Sequence, residues 1–204
     1  LTAAVGDADE VVVADGGSID GSVRIAGELG ARVVIGAAGR GPQMNRGARS
    51  CHSEILLFLH ADSILPANGL ERIRHLIREG KSGGGFLVEF DDPSPVFRIG
   101  SSLVNLRTRL TRVPLGDQGQ FVTRSAFDDL GGFREWPILE DLDFGRRLKN
   151  YGEVGLVDDP VKTSARRYRR NGIARTIANN WWIWLLYFLG ASPASLARRY
   201  RDVR

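Results

Sequence analysis

Cysteine is almost missing from this chain of 204 residues. The lone Cys51 excludes an internal disulfide framework and any thiolate metal cluster, reads as a small buried or half-buried residue, and makes a reducing cytoplasm the natural compartment. Long apolar runs are missing as well. The nearest approach, Trp181-Trp182-Ile183-Trp184-Leu185-Leu186-Tyr187-Phe188-Leu189, falls short of the roughly 20 residues that cross a bilayer, and no secretory leader is recognisable. No Gly-x-Gly-x-x-Gly follows a strand, which removes a dinucleotide-dependent dehydrogenase from consideration. Repeats, low-complexity tracts and linkers are also lacking, and the length suits one α/β domain with one site.

The charge that is present sums to only +4 but is concentrated in place. Arg166, Arg167, Arg169, Arg170 and Arg175 lie together, and Arg198, Arg199, Arg201 and Arg204 crowd the far end. Such clusters suit phosphate groups, anionic lipid or nucleic acid, or form a solvated basic surface. The apolar runs Val11-Val12-Val13-Ala14 and Ile55-Leu56-Leu57-Phe58-Leu59 each stop at a polar signature. Asp15-Gly16-Gly17-Ser18-Ile19-Asp20-Gly21 follows the first and His60-Ala61-Asp62 the second. Runs this short read as buried strands of a parallel sheet, whose carboxyl ends bind ligands. Asp15 and Asp62 are therefore expected to meet at one crevice.

A helix capped by Ser18 or Asp20 is expected after the first strand, carrying Val23, Ala26 and Leu29 and ended by Gly30. Val33-Val34-Ile35 is a short strand, and Pro42 sits near the first position of the next helix. A helix over 66–79 completes a βαβαβα order, which predicts right-handed crossovers. Gly83-Gly84-Gly85 then leads into an alternating strand, Phe86-Leu87-Val88-Glu89-Phe90. Val96, Ile99, Leu103, Leu106 and Leu110 mark a helix, and Gln120-Phe121-Val122-Thr123 another strand. Residues 131–133 read as a turn, 137–149 as a helix, and 154–157 and 161–163 as two strands before the Trp-rich helix.

Taken together, residues 10–21, Leu57-Phe58-Leu59-His60-Ala61-Asp62, Gly131-Gly132-Phe133, Leu139-Glu140-Asp141 and Arg146-Arg147-Leu148 resemble the family-2 glycosyltransferases of GT-A fold. More narrowly, Gln43-Met44-Asn45, Leu59-His60-Ala61-Asp62 and Gly116-Asp117-Gln118-Gly119-Gln120-Phe121 look like the subgroup assigned to arsenosugar biosynthesis. The resemblance implies a GT-A, Rossmann-like, mostly parallel sheet flanked by helices in a single domain. Residues 1–85 would form the nucleotide-binding half, 86–170 the acceptor and catalytic half, and 171–204 a helical end. Two departures stand out. The chain starts at Leu1, on the approach to the family's second strand, so the first family strand with its Pro-x-x-Asn-Glu-like turn is expected to be missing. His60 replaces the usual first Asp of the metal motif, which leaves Asp62 as its matching carboxylate.

The resemblance implies that Asp15 holds the base, with Gly17, Ser18, Arg40, Asn45 and Ala61 around the nucleotide. Asp62 would hold Mg2+ or Mn2+ against the diphosphate of a UDP-linked sugar, because a hard cation takes carboxylate and phosphate oxygens. Arg166 and Arg167 stand where many relatives carry a metal-binding His and would charge-pair with the diphosphate. Asp141 matches the general base that activates an acceptor hydroxyl for inverting transfer, with Glu140 beside it. Asp117, Gln118 and Gln120 suit an acceptor or donor-sugar pocket. Each residue also has an ordinary structural role open to it: Asp15 as a turn former, Asp20 as a cap, Glu140 and Asp141 as acids favoured in a first helical turn. The Trp-rich helix is expected to pack into the core, with a homodimer interface or a peripheral membrane contact as sharper readings. The partners implied are a nucleoside diphosphate sugar and a hydroxyl acceptor, without nucleic acid. The rival functions are a sugar-1-phosphate nucleotidyltransferase, which lacks its glycine-rich loop before Val11, and a non-catalytic binder of nucleotides or anionic surfaces.

Overall fold

The computed structural model describes residues 10–198. Arg199, Arg201 and Arg204 of the terminal basic cluster, and Leu1 with the expectation attached to it, lie outside the described residues. The chain runs β1 (Val12–Asp15), α1 (Ser22–Glu28), β2 (Arg32–Ile35), α2 (Arg40–Arg49), β3 (Ile55–Phe58), β4 (Ser63–Ile64), α3 (Gly69–Arg78), β5 (Gly83–Phe90) and α4 (Pro95–Thr111). After a 3-10 turn at Gly116–Gln118 come β6 (Gln120–Thr123), α5 (Arg124–Asp129), α6 (Glu140–Tyr151), β7 (Val154–Thr163), α7 (Arg166–Asn171), α8 (Ile173–Phe188) and α9 (Pro193–Ala197).

The expected α/β architecture is present, but the sheet is mixed. β1 and β2 pair in parallel as a two-stranded sheet, while a five-stranded sheet has the order β3-β6-β5-β7-β4. β3 does not join β1 among the described residues; it pairs antiparallel with β6, and β6 antiparallel with β5, while β5 and β7 are parallel. A simple βαβαβα succession is thus broken at β3, because Ile55 to Phe58 find their ladder partners in a strand that arrives much later in the chain. The expected strands 154–157 and 161–163 are one strand, β7.

The glycines at 83–85 lie inside β5 rather than before it. A β-carbon on Gly84 would run into the Gly155 carbonyl of β7, one on Gly83 into the Phe121 carbonyl of β6, and one on Gly85 into Pro114. Glycine here marks close backbone approach from both sides, not a loop. One core sits between β3, β6, α5 and α6, where Phe133 and Phe144 ring centroids are 4.3 Å apart and Phe58 meets Phe133 edge-on at 4.8 Å. A second joins Val113, Ile138, Leu139 and Leu142 to Ile183 of α8 and Leu196 of α9.

Two helices differ from the sequence expectation in orientation. Ser94 and Pro95 start α4, and Arg112, in the left-handed region at φ 56°, ends it. Its buried side chains are Phe97, Ser101 and Thr108, whereas the periodic Val96, Ile99, Leu103, Leu106 and Leu110 face solvent. In α8 Ile183 packs into the second core with Trp184, Leu186 and Tyr187 against it, as expected, whereas Trp181 and Trp182 on its other side are exposed. No described helix is long and apolar enough to cross a membrane.

Candidate functional site

The site begins at the tip of β1. Asp15 Oδ2 accepts hydrogen bonds from the backbone amides of Gly17 at 2.6 Å and Ser18 at 2.8 Å. Gly17 supplies the left-handed φ of 95° that this turn needs. The Ser18 hydroxyl and amide hold the Asp15 carboxyl below its ordinary range, helped by the Gly17 amide and Arg46. Asp20 accepts from the Ser22 amide at the start of α1, while Ser18 is engaged with Asp15. Helix α2 is fastened to this tip: Gln43 Nε2 donates to the Ala14 carbonyl at 2.7 Å, and Arg46 Nη2 to the Asp15 carbonyl at 2.8 Å. α2 starts at Arg40, two residues before Pro42, with Gly39 as its N-cap.

From α2 the contacts pass directly to α6. Arg40 Nε lies 2.6 Å from Glu140 Oε1, and Nη2 donates to Oε2 at 3.3 Å. Arg40 is 42% exposed and Glu140 only 1%. Burial, reinforced by the adjacent Asp141, pushes the Glu140 carboxyl up to about 7, against the pull of Arg40.

Asp141 faces the loop before β6. Its Oδ2 accepts from the Gly116 amide at 2.9 Å and its Oδ1 from the Leu142 amide at 2.8 Å. A β-carbon at position 116 would stand 2.9 Å from His60 Nε2 and 3.1 Å from Asp141 Oδ2, so the bare glycine lets His60 and Asp141 close on the same point. Asp117 adjoins them with a buried Oδ1 that has no hydrogen-bond partner. Burial raises the Asp117 carboxyl, with His60 and Arg107 opposing and Asp141 adding to the rise. Position 60 opens a turn closed by the Ser63 amide on the His60 carbonyl at 3.0 Å. β4 then pairs Ser63 with Thr163 at the end of β7, which sets the exposed Ala61 and Asp62 beside the stretch entering α7, where Arg166 and Arg167 begin.

Asp15, Arg40, Glu140, Asp141, Gly116, His60 and the Asp62 turn therefore form one continuous rim, linked through Gln43 and the N-termini of α2 and α6. Three of the sequence candidates have other engagements. Asn45 is buried and clasps Phe133, donating to its carbonyl and accepting from its amide, each at 2.8 Å. Gln118, fully buried, accepts from Arg107 at 2.7 Å, Thr108 at 3.0 Å and the Leu115 amide at 3.1 Å, and donates to the Phe86 carbonyl at 3.0 Å. Gln120 Nε2 donates to the carbonyls of Pro114 at 2.9 Å and Asp141 at 3.0 Å, while its Oε1 is buried without a partner. These amides fix the backbone around the site, a role the polar composition of 116–120 does not distinguish from a pocket lining.

Sequence reading missed Arg107. It lies under the site, its guanidinium lowered by burial and drawn by Asp117 and Asp141, and it stacks 5.2 Å over the Trp184 ring. Nothing in the local pattern separates it from Arg109 or Arg112; only its place on the helix, next to the buried Thr108 face, does so.

Comparison with known proteins bears on this rim. Residues 2–131 match the family described as glycosyl transferase family 2. No curated protein matches the chain in sequence. Among solved structures, TarS 1-349 of S. aureus is 16% identical, at TM-score 0.58, over 76% of this chain and 51% of that one. Glucosyl-3-phosphoglycerate synthase from Mycobacterium tuberculosis, in complex with Mn2+, uridine-diphosphate-glucose and phosphoglyceric acid, is 20% identical, at TM-score 0.53, over 74% of this chain and 59% of that one. A mannosyltransferase from Pyrobaculum calidifontis, in complex with GDP-Man and Mn2+, is 18% identical, at TM-score 0.55, over 76% of this chain and 47% of that one. These likenesses support the GT-A fold, and the chain spans about half the length of the structures it resembles.

Proposed function

We propose, from the premise that this chain belongs to glycosyl transferase family 2, that it moves a sugar from a UDP-linked donor to an acceptor hydroxyl with inversion. The observation that carries the reading is the meeting of Asp141, Gly116 and His60, beside the exposed Asp62 turn and the arginines opening α7. Residues 1–85 supply the nucleotide half, 86–170 the catalytic and acceptor half, and 171–204 the C-terminal segment, which contains the helices Ile173–Phe188 and Pro193–Ala197. The single cysteine suits work in a reducing, cytoplasmic setting.

Asp141 takes the acceptor proton as the hydroxyl oxygen attacks the anomeric carbon and the bond from sugar to diphosphate breaks. The Gly116 and Leu142 amides hold its carboxylate in place. Asp15 orients the base within the turn that Gly17 and Ser18 complete. Arg166 and Arg167 face the charge that builds on the leaving diphosphate. Arg40 and Glu140 stand between the nucleotide and the acceptor, and the buried Asp117 backs the sugar pocket beside Asp141. Asn45, Gln118 and Gln120 serve as positioning residues.

Among the described residues no group of three or more His, Cys, Asp or Glu side chains could hold a metal. Asp62 would hold a Mg2+ or Mn2+ ion, because a hard cation takes carboxylate oxygens together with those of a diphosphate. When bound it supplies charge neutralisation of the departing diphosphate.

Calorimetry with nucleoside diphosphates, with and without Mn2+, tests the donor assignment. UDP should bind more tightly than GDP or ADP, and Asp15→Ala should weaken it. A preference for GDP would overturn the base assignment, and wild-type affinity unchanged in a chelator would overturn the metal assignment at Asp62.

A further inference from the structure

Three neighbouring helices share an unusual surface. The stripe Val96, Ile99, Leu103, Leu106 and Leu110 runs the length of α4 opposite its buried side, and Leu110 is 75% exposed. On α8 the exposed side carries Ile177, Trp181, Leu185 and Phe188, with Trp181 at 69%. The two helices are joined by Arg107 of α4 over Trp184 of α8, and Phe97 of α4 meets Tyr168 of α7 edge-on at 6.0 Å.

The charges on these helices have one sign. α4 carries Arg98, Arg107 and Arg109, α7 carries Arg166, Arg167, Arg169 and Arg170, and α8 carries Arg175; none of the three contains Asp or Glu. The nearby acids are already engaged, Asp91 and Asp92 with Arg169 and Asp158 with Arg109. A second copy of the chain seated on this face would set arginines against arginines. An apolar face with tryptophans, on helices whose arginines outnumber the acids beside them, is complementary to a surface of anionic headgroups over acyl chains.

We propose that the α4 and α8 face docks on an anionic phospholipid bilayer, its leucines and tryptophans entering the acyl boundary while exposed arginines such as Arg98 and Arg175 meet headgroup phosphates. The docking does not depend on the sugar-transfer reading. It does set the loop 113–118, which joins α4 to the catalytic rim, close to the membrane plane.

The test is co-sedimentation of the full chain with large unilamellar vesicles of phosphatidylcholine alone or with phosphatidylglycerol added. The expected result is pelleting with the anionic vesicles, weakened by salt, and about ten-fold less partitioning for the double variant Leu103→Gln, Leu106→Gln. That variant should keep its melting temperature and its nucleotide binding, so the two proposals stand or fall separately. Pelleting that is absent from both vesicle types, or equal on both, overturns the proposal. So does a dimer in sedimentation velocity that the double variant dissolves, which would give the face to a second copy.

Discussion

The segment 116–120 and helix α4 reverse the usual distribution of polarity in opposite directions. The first buries amides and carboxylates; the second turns leucines to water. Burying an amide costs stability unless its atoms find partners, and Gln118 finds four, from Phe86, Arg107, Thr108 and Leu115. The chain itself accounts for Gln118, while Asp117 Oδ1 and Gln120 Oε1 in the same segment stay buried without a partner. The stripe on α4 has no comparable internal account, because the side of the helix that packs inward is Phe97, Ser101 and Thr108. A reversal satisfied from within builds a site, whereas one left open points to something outside the chain.

The comparison can be broken at several points. The largest effect is expected at the α6 carboxylate that the buried segment holds through Gly116: Asp141→Asn should lower turnover by about 100-fold to 10,000-fold with donor binding near wild type, measured by steady-state kinetics and calorimetry on one preparation. Retained turnover with a lowered melting point would reduce Asp141 to a helix-start residue. Next, Gln118→Leu should cost about 4 kcal/mol in denaturant unfolding, since it strands the Leu115 amide, the Phe86 carbonyl and the Arg107 guanidinium in the interior.

Glu140 sharpens the contrast through pH. Its carboxyl is raised from the ordinary 4.5 to about 7, so the folded state keeps a proton that the unfolded chain releases. Its contribution is full below about pH 4.5 and is lost as pH rises through about 7, up to about 3 kcal/mol over the whole window. Denaturant unfolding between those limits should show the decline, and Glu140→Gln should flatten it. The smallest effect belongs to the open face: Leu103→Gln should move stability by no more than about 0.5 kcal/mol, because nothing inside the fold leans on that side chain. A loss of several kcal/mol there would mean that the stripe is structural after all.

Much of this was legible from residue pattern alone. The apolar runs ending at Asp15 and near Asp62 are β1 and β3, Gln120 to Thr123 form β6, and Gly131 and Gly132 make the turn before α6. Pairing was not legible, because which strands meet is decided by chain segments far apart: β3 finds β6 and not β1 among the described residues. Nor was the two-residue β4, too short to carry a period, or the strand character of 83–85, where side chains that would signal a strand are excluded by neighbouring backbone. At the site, residue type singled out Asp15, Glu140 and Asp141, and the structure sets their neighbours along one rim. It did not show the internal hydrogen bonds of Asn45, Gln118 and Gln120, since an amide that lines a pocket and one that ties down a loop look the same in a string of letters. Helical periodicity likewise located α4 without saying which way its stripe points.

Arg107 has a further use. Its guanidinium holds Gln118 with one nitrogen while its charge rests over the Trp184 indole. Indole emission responds to the field of a nearby cation, so any ligand that displaces the 3-10 turn at Gly116–Gln118 also changes the colour of Trp184. Trp184, read against variants of the other three tryptophans, thus reports on the concealed side of the candidate site without a label.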